Sequence, residues 1–394
     1  MKPLSHIASS VVASSTLAVD ALAKQLKAEG KDVVGFGSGE PDFDTPEHIK
    51  QAAINALQAG ETKYTPASGM LSLKKAVCHR LQEDCGLTYD PSQIIVAAGA
   101  KHSVYLSLRT LVNPGDEVII PAPYWVTYYE VCKMVGGVPV VVDATEEQNF
   151  KITPAQLEAA ITDKTKLFLL NNPSNPTGVV YSKEELSALC AVCVKHDLYI
   201  VADEIYYHLV YNGQFHSVAS LGEEVRARTI LIHGVSKSYS MTGWRIGYTA
   251  ASPEITKVMG NFVSHSTGNP TTMAQFATVE ALAGDQSSVH EMKKAFVERR
   301  DYLCKRINAI DGVSCLVPDG AFYVMMNVTA QFGRTLGGKL IENADDFAMS
   351  FLNTKQVAVV PGAGFGAPDF VRLSYASSME QIEKGMDRLE EFLA

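Results

Sequence analysis

The stretch 166-KLFLLNNPSNPTGVVYSKEELSALCAVCVKHDLYIVADEIYY-207 decides the fold. Two short apolar runs, 166–170 and 198–202, flank an amphipathic helical pattern at 183–196. Each run is continuous rather than alternating, which is the pattern of a strand buried on both faces. The Pro- and Gly-rich segment after the first run is turn chemistry. Outward from this unit, further strands are predicted at 93–97, 117–120, 138–142, 229–234 and 247–251. Helices are predicted at 101–111, 126–135, 154–160, 254–263 and 272–282. Strands alternating with helices predict an α/β fold with a mostly parallel, seven-stranded sheet between helices.

The last hundred residues differ. A charged helix (292–307), short strands (322–326, 358–360, 371–374) and a closing helix (379–392) predict a smaller α+β unit. The helix pattern at 17–29 is expected to join it, so that this smaller domain is built from both chain ends. The expected division is 1–45 and 291–394 around a large domain at 46–290.

The chain has 394 residues, 46% of them hydrophobic, enough for a large core. Its net charge is −9, with both signs mixed and no basic patch, which speaks against nucleic acid as a partner. No apolar run is long enough to span a membrane, and residues 1–19 lack the pattern of a secretory signal, so a cytoplasmic protein is expected. Seven scattered cysteines, an odd number, read as free thiols. Cys190 and Cys193 have metal-like spacing, but no second pair follows, and helix packing is the expected role.

Chemistry concentrates elsewhere. Lys237 stands in a small-residue turn after an apolar run, in 231-LIHGVSKSYSMTGWRIGY-248. Burial of a lysine favours its neutral amine, the form Schiff-base chemistry needs. Asp203 ends a predicted buried strand, where open α/β sheets bind ligands, and a carboxylate there suits a protonated ring nitrogen. Glu204 points the other way. Gly99-Ala100-Lys101 joins a strand to a helix, an arrangement that cradles phosphate. Ser236 and Arg245 supply a hydroxyl and a guanidinium, and Tyr64 is a further phosphate candidate. Trp125 offers a stacking face; Asn175 and Tyr206 offer hydrogen bonds to a ring hydroxyl. Arg372, inside an apolar strand, needs a carboxylate partner. Taken singly, each has a plainer reading: a loop lysine, a turn-forming aspartate, a core tryptophan, a turn tyrosine.

Together these residues resemble the fold-type I enzymes that use pyridoxal 5'-phosphate (PLP), specifically class I aminotransferases. "GEPDFDTP", "PYWVTY", "NPTG", "DEIY", "SKSYSMTGWRIGY", "PDGAFY" and "VRLSYA" are similar to family landmarks, in family order, from about residue 14 onward. The resemblance is closest to bacterial aspartate aminotransferases of the aspartate/prephenate subgroup. It implies transfer of an amino group from L-aspartate to 2-oxoglutarate, with amino-acid and 2-oxo-acid substrates and a homodimer that shares its active sites. It implies Lys237 as the Schiff-base lysine and proton carrier, Asp203 on the pyridine nitrogen, Asn175 and Tyr206 on the ring hydroxyl, and Trp125 on the ring face. Gly99, Ala100, Lys101, Ser236 and Arg245 would surround the phosphate, with Tyr64 reaching the phosphate of the neighbouring subunit. Gly39 and Arg372 would hold the α-carboxylate, and Lys101 and Thr16 the distal one; His265 is a further candidate there. Prephenate, aromatic or alanine-type substrates, or β-elimination on the same fold, are the alternatives. A regulatory protein without catalysis would show a damaged constellation, and every expected position here holds a competent residue.

Overall fold

A computed structural model of the chain describes residues 2–13 and 15–394, apart from the side chains of 15–18 and 20. The seven predicted strands form one sheet. Its order is Ile94–Ala97, Gly247–Ala250, Thr229–Gly234, Tyr199–Asp203, Thr165–Asn171, Glu117–Ala122 and Val138–Asp143. Gly247–Ala250 runs antiparallel to both neighbours; every other pairing is parallel. Helices cover both faces. Leu186, Leu189 and Cys193 of Lys183–Lys195 pack on one side with Ala202 and Leu231. Val104 and Leu108 of Ala100–Leu111 pack on the other with Val201 and Ile232. Cys190 and Cys193 are buried helix residues, as expected, and all seven thiols are unpaired.

A second core surrounds a four-stranded antiparallel sheet, ordered Val360–Pro361, Phe370–Ser374, Tyr323–Asn327 and Ser314–Cys315. The helices Ser287–Ile307 and Met379–Leu393 close over it. Both ends of the chain meet here. Val34–Gly35 pairs with Val357–Ala358, and the Ser374 N–H donates to the Phe36 carbonyl at 2.8 Å. The helix Ser15–Ala28 buries Ala23 beside Leu352 and Ala358.

Some elements differ from expectation. The strand expected at 358–360 is two short strands in two sheets, because Val357–Ala358 pairs with Val34–Gly35 while Val360–Pro361 pairs with Phe370–Ser374. The helices Glu47–Gln58, Leu71–Cys85 and Ala344–Lys355 were not expected. Their buried positions are rich in alanine, as at Ala53 and Ala56, Ala76, and Ala344 and Ala348, a residue that gives a weak apolar signal.

Candidate active site

A cavity of about 400 Å³ opens at the C-terminal ends of the parallel strands, between the two cores. Gly39, Ala100, Lys101, Trp125, Asn175, Asp203, Tyr206, Ser236, Lys237, Arg245 and Arg372 all line it. These come from seven separated segments of the sequence, most of them at the strand ends of the large sheet, with Gly39 and Arg372 brought from the smaller unit.

Asp203 is the last residue of Tyr199–Asp203 and is 1% exposed. Its Oδ2 accepts a hydrogen bond from the Tyr128 hydroxyl at 2.8 Å, and its Oδ1 accepts the Ile205 N–H at 3.2 Å. Burial pushes its carboxyl up to about 6, against the pull of these two donors. Asn171, at the end of the neighbouring strand, donates to the Asp203 carbonyl at 2.8 Å and accepts the Asn175 N–H at 2.7 Å. The turn that carries Asn175 is thereby tied to the strand that carries Asp203.

Lys237 follows the strand Thr229–Gly234, and its Nζ donates to the Gly39 carbonyl at 2.5 Å. Burial brings its amine down to about 8; Arg245 and Arg372 add to the fall, while Glu40 and Asp203 oppose it. Nζ also lies 6.0 Å from the Tyr206 ring and 5.8 Å from that of Phe322. The Tyr206 hydroxyl shares a hydrogen bond with that of Tyr323 at 3.0 Å, and burial raises its pKa well above the usual tyrosine value.

Arg372, 2% exposed, donates to Asn175 Oδ1 at 3.0 Å and to the Gly37 carbonyl at 2.9 Å. Its guanidinium stands 4.4 Å from the Tyr323 ring centre. Gly39 lies close enough to Tyr323 that an added Cβ would sit 3.2 Å from its hydroxyl.

Opposite charge needs are met beside the helix Ala100–Leu111. Gly99 caps it at φ +89°, and a Cβ there would fall 2.5 Å from the Arg245 guanidinium. Arg245 itself holds a left-handed backbone (φ 56°) and donates to the Thr242 carbonyl at 2.9 Å. Backbone N–H groups at the helix start, a guanidinium and Ser236 form a site suited to a phosphate dianion. Lys101 projects from the first turn and its Nζ lies 5.1 Å over the Trp125 ring.

Other expectations fall outside this group. Tyr64 is 98% exposed and does not line the cavity of its own chain. His265 is exposed near the end of Pro253–Ser266, also away from the lining. The Thr16 side chain lies outside the described residues. Conversely, Tyr128, Tyr323, Asn171, Glu40 and Lys24 line the cavity without having been expected. Tyr128 carried one available signal: it follows Trp125 by three residues at the start of a helix, on the same side.

A family model described as aminotransferase class I and II matches residues 31–389. The chain is 50% identical to an aspartate aminotransferase of Bacillus sp. (strain YM-2), over 96% of each chain. It is 45% identical to an aspartate/prephenate aminotransferase of Cereibacter sphaeroides, over 99% of this chain and 98% of that one. Among solved structures, the aspartate aminotransferase from Thermus thermophilus with maleate superposes with a TM-score of 0.94 at 40% identity, covering all of both chains.

Proposed function

The chain belongs to the class I and II aminotransferases, and from that premise we propose that it moves the amino group of L-aspartate to 2-oxoglutarate in two half-reactions, giving oxaloacetate and L-glutamate. The observation that carries this is the convergence of Lys237, Asp203 and Arg372 on one cavity. Enzymes of this class use pyridoxal 5'-phosphate, and the residues present fit it. The absent Gly99 side chain leaves room for a guanidinium at a helix N-terminus, and Asp203 is a buried carboxylate with no ion-pair partner among the described residues. Bound there, the cofactor supplies a conjugated cationic ring that stabilises negative charge at the substrate Cα.

The chain's residues take the remaining roles. Lys237 anchors the cofactor and carries the proton to and from Cα, a task suited to an amine brought down to about 8. Asp203, oriented by Tyr128, would meet the ring nitrogen. Asn175 and Tyr206 would bond the ring hydroxyl, and Trp125 would cover the ring face. Gly99, Ala100, Ser236 and Arg245 would hold the phosphate. Arg372, already fixed by Asn175 and Gly37, presents its fork to the α-carboxylate, with Gly39 leaving space beside it. Lys101 and Thr16 receive the distal carboxylate. Maleate, named with the Thermus thermophilus relative, is a dicarboxylate and supports such a reading.

The functional unit is a homodimer in which Tyr64 leaves its own chain to reach the partner's phosphate; its 98% exposure supports this. Residues 1–45 and 291–394 form the smaller domain and 46–290 the larger, in keeping with the two separate cores. Seven unpaired thiols support a cytoplasmic setting. Among the described residues no helix is long and apolar enough to cross a membrane. Prephenate is a second acceptor, favoured by the aspartate/prephenate relative.

The test adds L-aspartate, L-glutamate, L-alanine and L-phenylalanine separately to the purified yellow protein and follows the visible absorbance. Rapid bleaching with the two acidic amino acids and little with the others is expected. Bleaching mainly with alanine or phenylalanine would remove Lys101 and Thr16 as selectors. A protein that never turns yellow with added cofactor would overturn the role of Lys237.

A further inference from the structure

Behind the cavity, on the opposite face of the sheet, lies a buried acid–imidazole pair that the roles above do not use. Asp203 and Glu204 are consecutive, so their side chains leave the sheet in opposite directions. Asp203 faces the cavity; Glu204 is fully buried on the far side. Its Oε2 lies 3.0 Å from His233 Nε2, and His233 is itself 1% exposed, on the adjacent strand Thr229–Gly234. The other oxygen, Oε1, accepts the Val218 N–H at 2.8 Å.

His233 Nε2 and Glu204 Oε2 share this buried hydrogen bond, and among the described residues His233 Nδ1 has no hydrogen-bond partner. Tyr207 lies against the imidazole, with ring centres 4.3 Å apart, and fixes its plane.

The backbone links this pair to the site. The Glu204 N–H donates to the Ile232 carbonyl at 2.9 Å, extending the strand ladder one residue past Asp203. The Glu204 carbonyl accepts the Tyr207 N–H at 3.0 Å, closing the turn that holds Ile205 and Tyr206. Ile205 supplies a donor to Asp203, and Tyr206 lines the cavity. Glu204 therefore grips this turn from the far face through a side chain with two partners, His233 and the Val218 N–H.

We propose that Glu204 and His233 are positioning residues for the cofactor, pinning the turn that aims Asp203 and Tyr206 into the cavity. The inference rests on the placement of Asp203 and Tyr206 against the cofactor argued above. Neither residue of the pair lines the cavity. Their effect is on the angle and depth at which the cofactor ring is held, and the sequence marks them only as an acid after Asp203 and a histidine four residues before Lys237.

The test uses purified holoenzyme and four variants: Glu204→Gln, His233→Leu, His233→Gln and Asp203→Asn. Two readouts are followed, the rate of cofactor release and the visible circular dichroism of bound cofactor, which reports ring orientation. Glu204→Gln and His233→Leu are expected to release cofactor roughly tenfold faster, the scale of one lost charged hydrogen bond, and to alter the dichroic band. His233→Gln keeps an N–H donor and is expected to restore both. Wild-type release and an unchanged band in Glu204→Gln and His233→Leu would overturn the proposal, even with a lower melting temperature, since the pair would then be structural only. If Leu at 233 prevents folding, the isosteric Glu204→Gln decides by itself. Asp203→Asn separates the two levels: no change there would reject the placement of Asp203, whereas change there and none in the pair rejects the inference alone.

Discussion

The Tyr128 hydroxyl donates to Asp203 Oδ2 at 2.8 Å in a fully buried contact between the helix Val126–Met134 and the end of the strand Tyr199–Asp203. This donor favours the ionised carboxyl against the burial that raises it to about 6. Tyr128→Phe removes the donor and leaves the ring. The Asp203 carboxyl of the cofactor-free protein is expected to titrate at higher pH than in wild type, followed by NMR of the labelled carboxyl. A profile that overlays wild type would show that Tyr128 does not tune Asp203.

Asp203 also gives a stability prediction for the cofactor-free protein. Its carboxyl lies above its usual 3.8 in the fold, so the folded chain disfavours the ionised form. Its contribution to stability is complete at low pH and is lost as pH rises through about 6. Asp203→Asn, which cannot ionise, is expected to be more stable than wild type at pH 8, by roughly 3 kcal/mol, with the gap closing by pH 4. Thermal melts at the two pH values measure it. The same variant with cofactor is expected to lose at least ~100-fold in turnover.

Lys237→Ala is expected to lower turnover by about 10⁴-fold, the upper range for a displaced acid–base group, while cofactor still binds without covalent attachment. In the wild-type cofactor-free protein the amine sits at about 8 because it is buried. Capture of added pyridoxal phosphate should therefore accelerate as pH rises to about 8 and level off above it, measured by stopped-flow absorbance. A profile that keeps climbing to pH 10 would mean that burial does not lower this amine.

Gly99→Ala places a methyl 2.5 Å from the Arg245 guanidinium at a backbone φ of +89°. The flexible guanidinium yields before the helix does. The expected result is a folded protein whose cofactor affinity falls by at least ~10-fold from strain and a displaced cation. Equilibrium titration by fluorescence checks it; unchanged affinity would move the phosphate elsewhere.

Under the proposed function, Arg372 takes the α-carboxylate of the substrate and Lys101 the distal one. Arg372→Ala is expected to weaken every amino donor alike, by about 10–100-fold in kcat/KM, because all carry an α-carboxylate. Lys101→Met is expected to lower kcat/KM for aspartate and glutamate roughly tenfold and leave alanine unchanged. Equal losses for aspartate and alanine in the Lys101 variant would remove it from selectivity.

What could be read from the chain follows the physics of each signal. The continuous apolar runs gave the seven strands, because a strand buried on both faces has no alternation to blur it. The direction of Gly247–Ala250, antiparallel to its neighbours, has no such signature. Lys237, Asp203 and Arg372 were legible because a charge beside or within an apolar run is costly unless it has work or a partner. Tyr128 and Tyr323 were not, since a tyrosine is at home in a core and only the fold shows its hydroxyl aimed at Asp203 or Tyr206. Tyr64 and Thr16 depend on a second chain or on side chains outside the description, and no single sheet edge gathers them.

Phe36 is fully buried, yet its backbone partners are the Ala358 carbonyl and the Ser374 N–H, and Arg372 leans on the carbonyl of the very next residue. A ribosome adding about 5–20 residues per second leaves the segment around Val34 and Phe36 without its strand partners for roughly 20–70 s. This apolar segment is housed against strands made more than 300 residues later, and the contact of Arg372 with the Gly37 carbonyl forms only with them. During synthesis the large sheet therefore has time to form around an unfinished site.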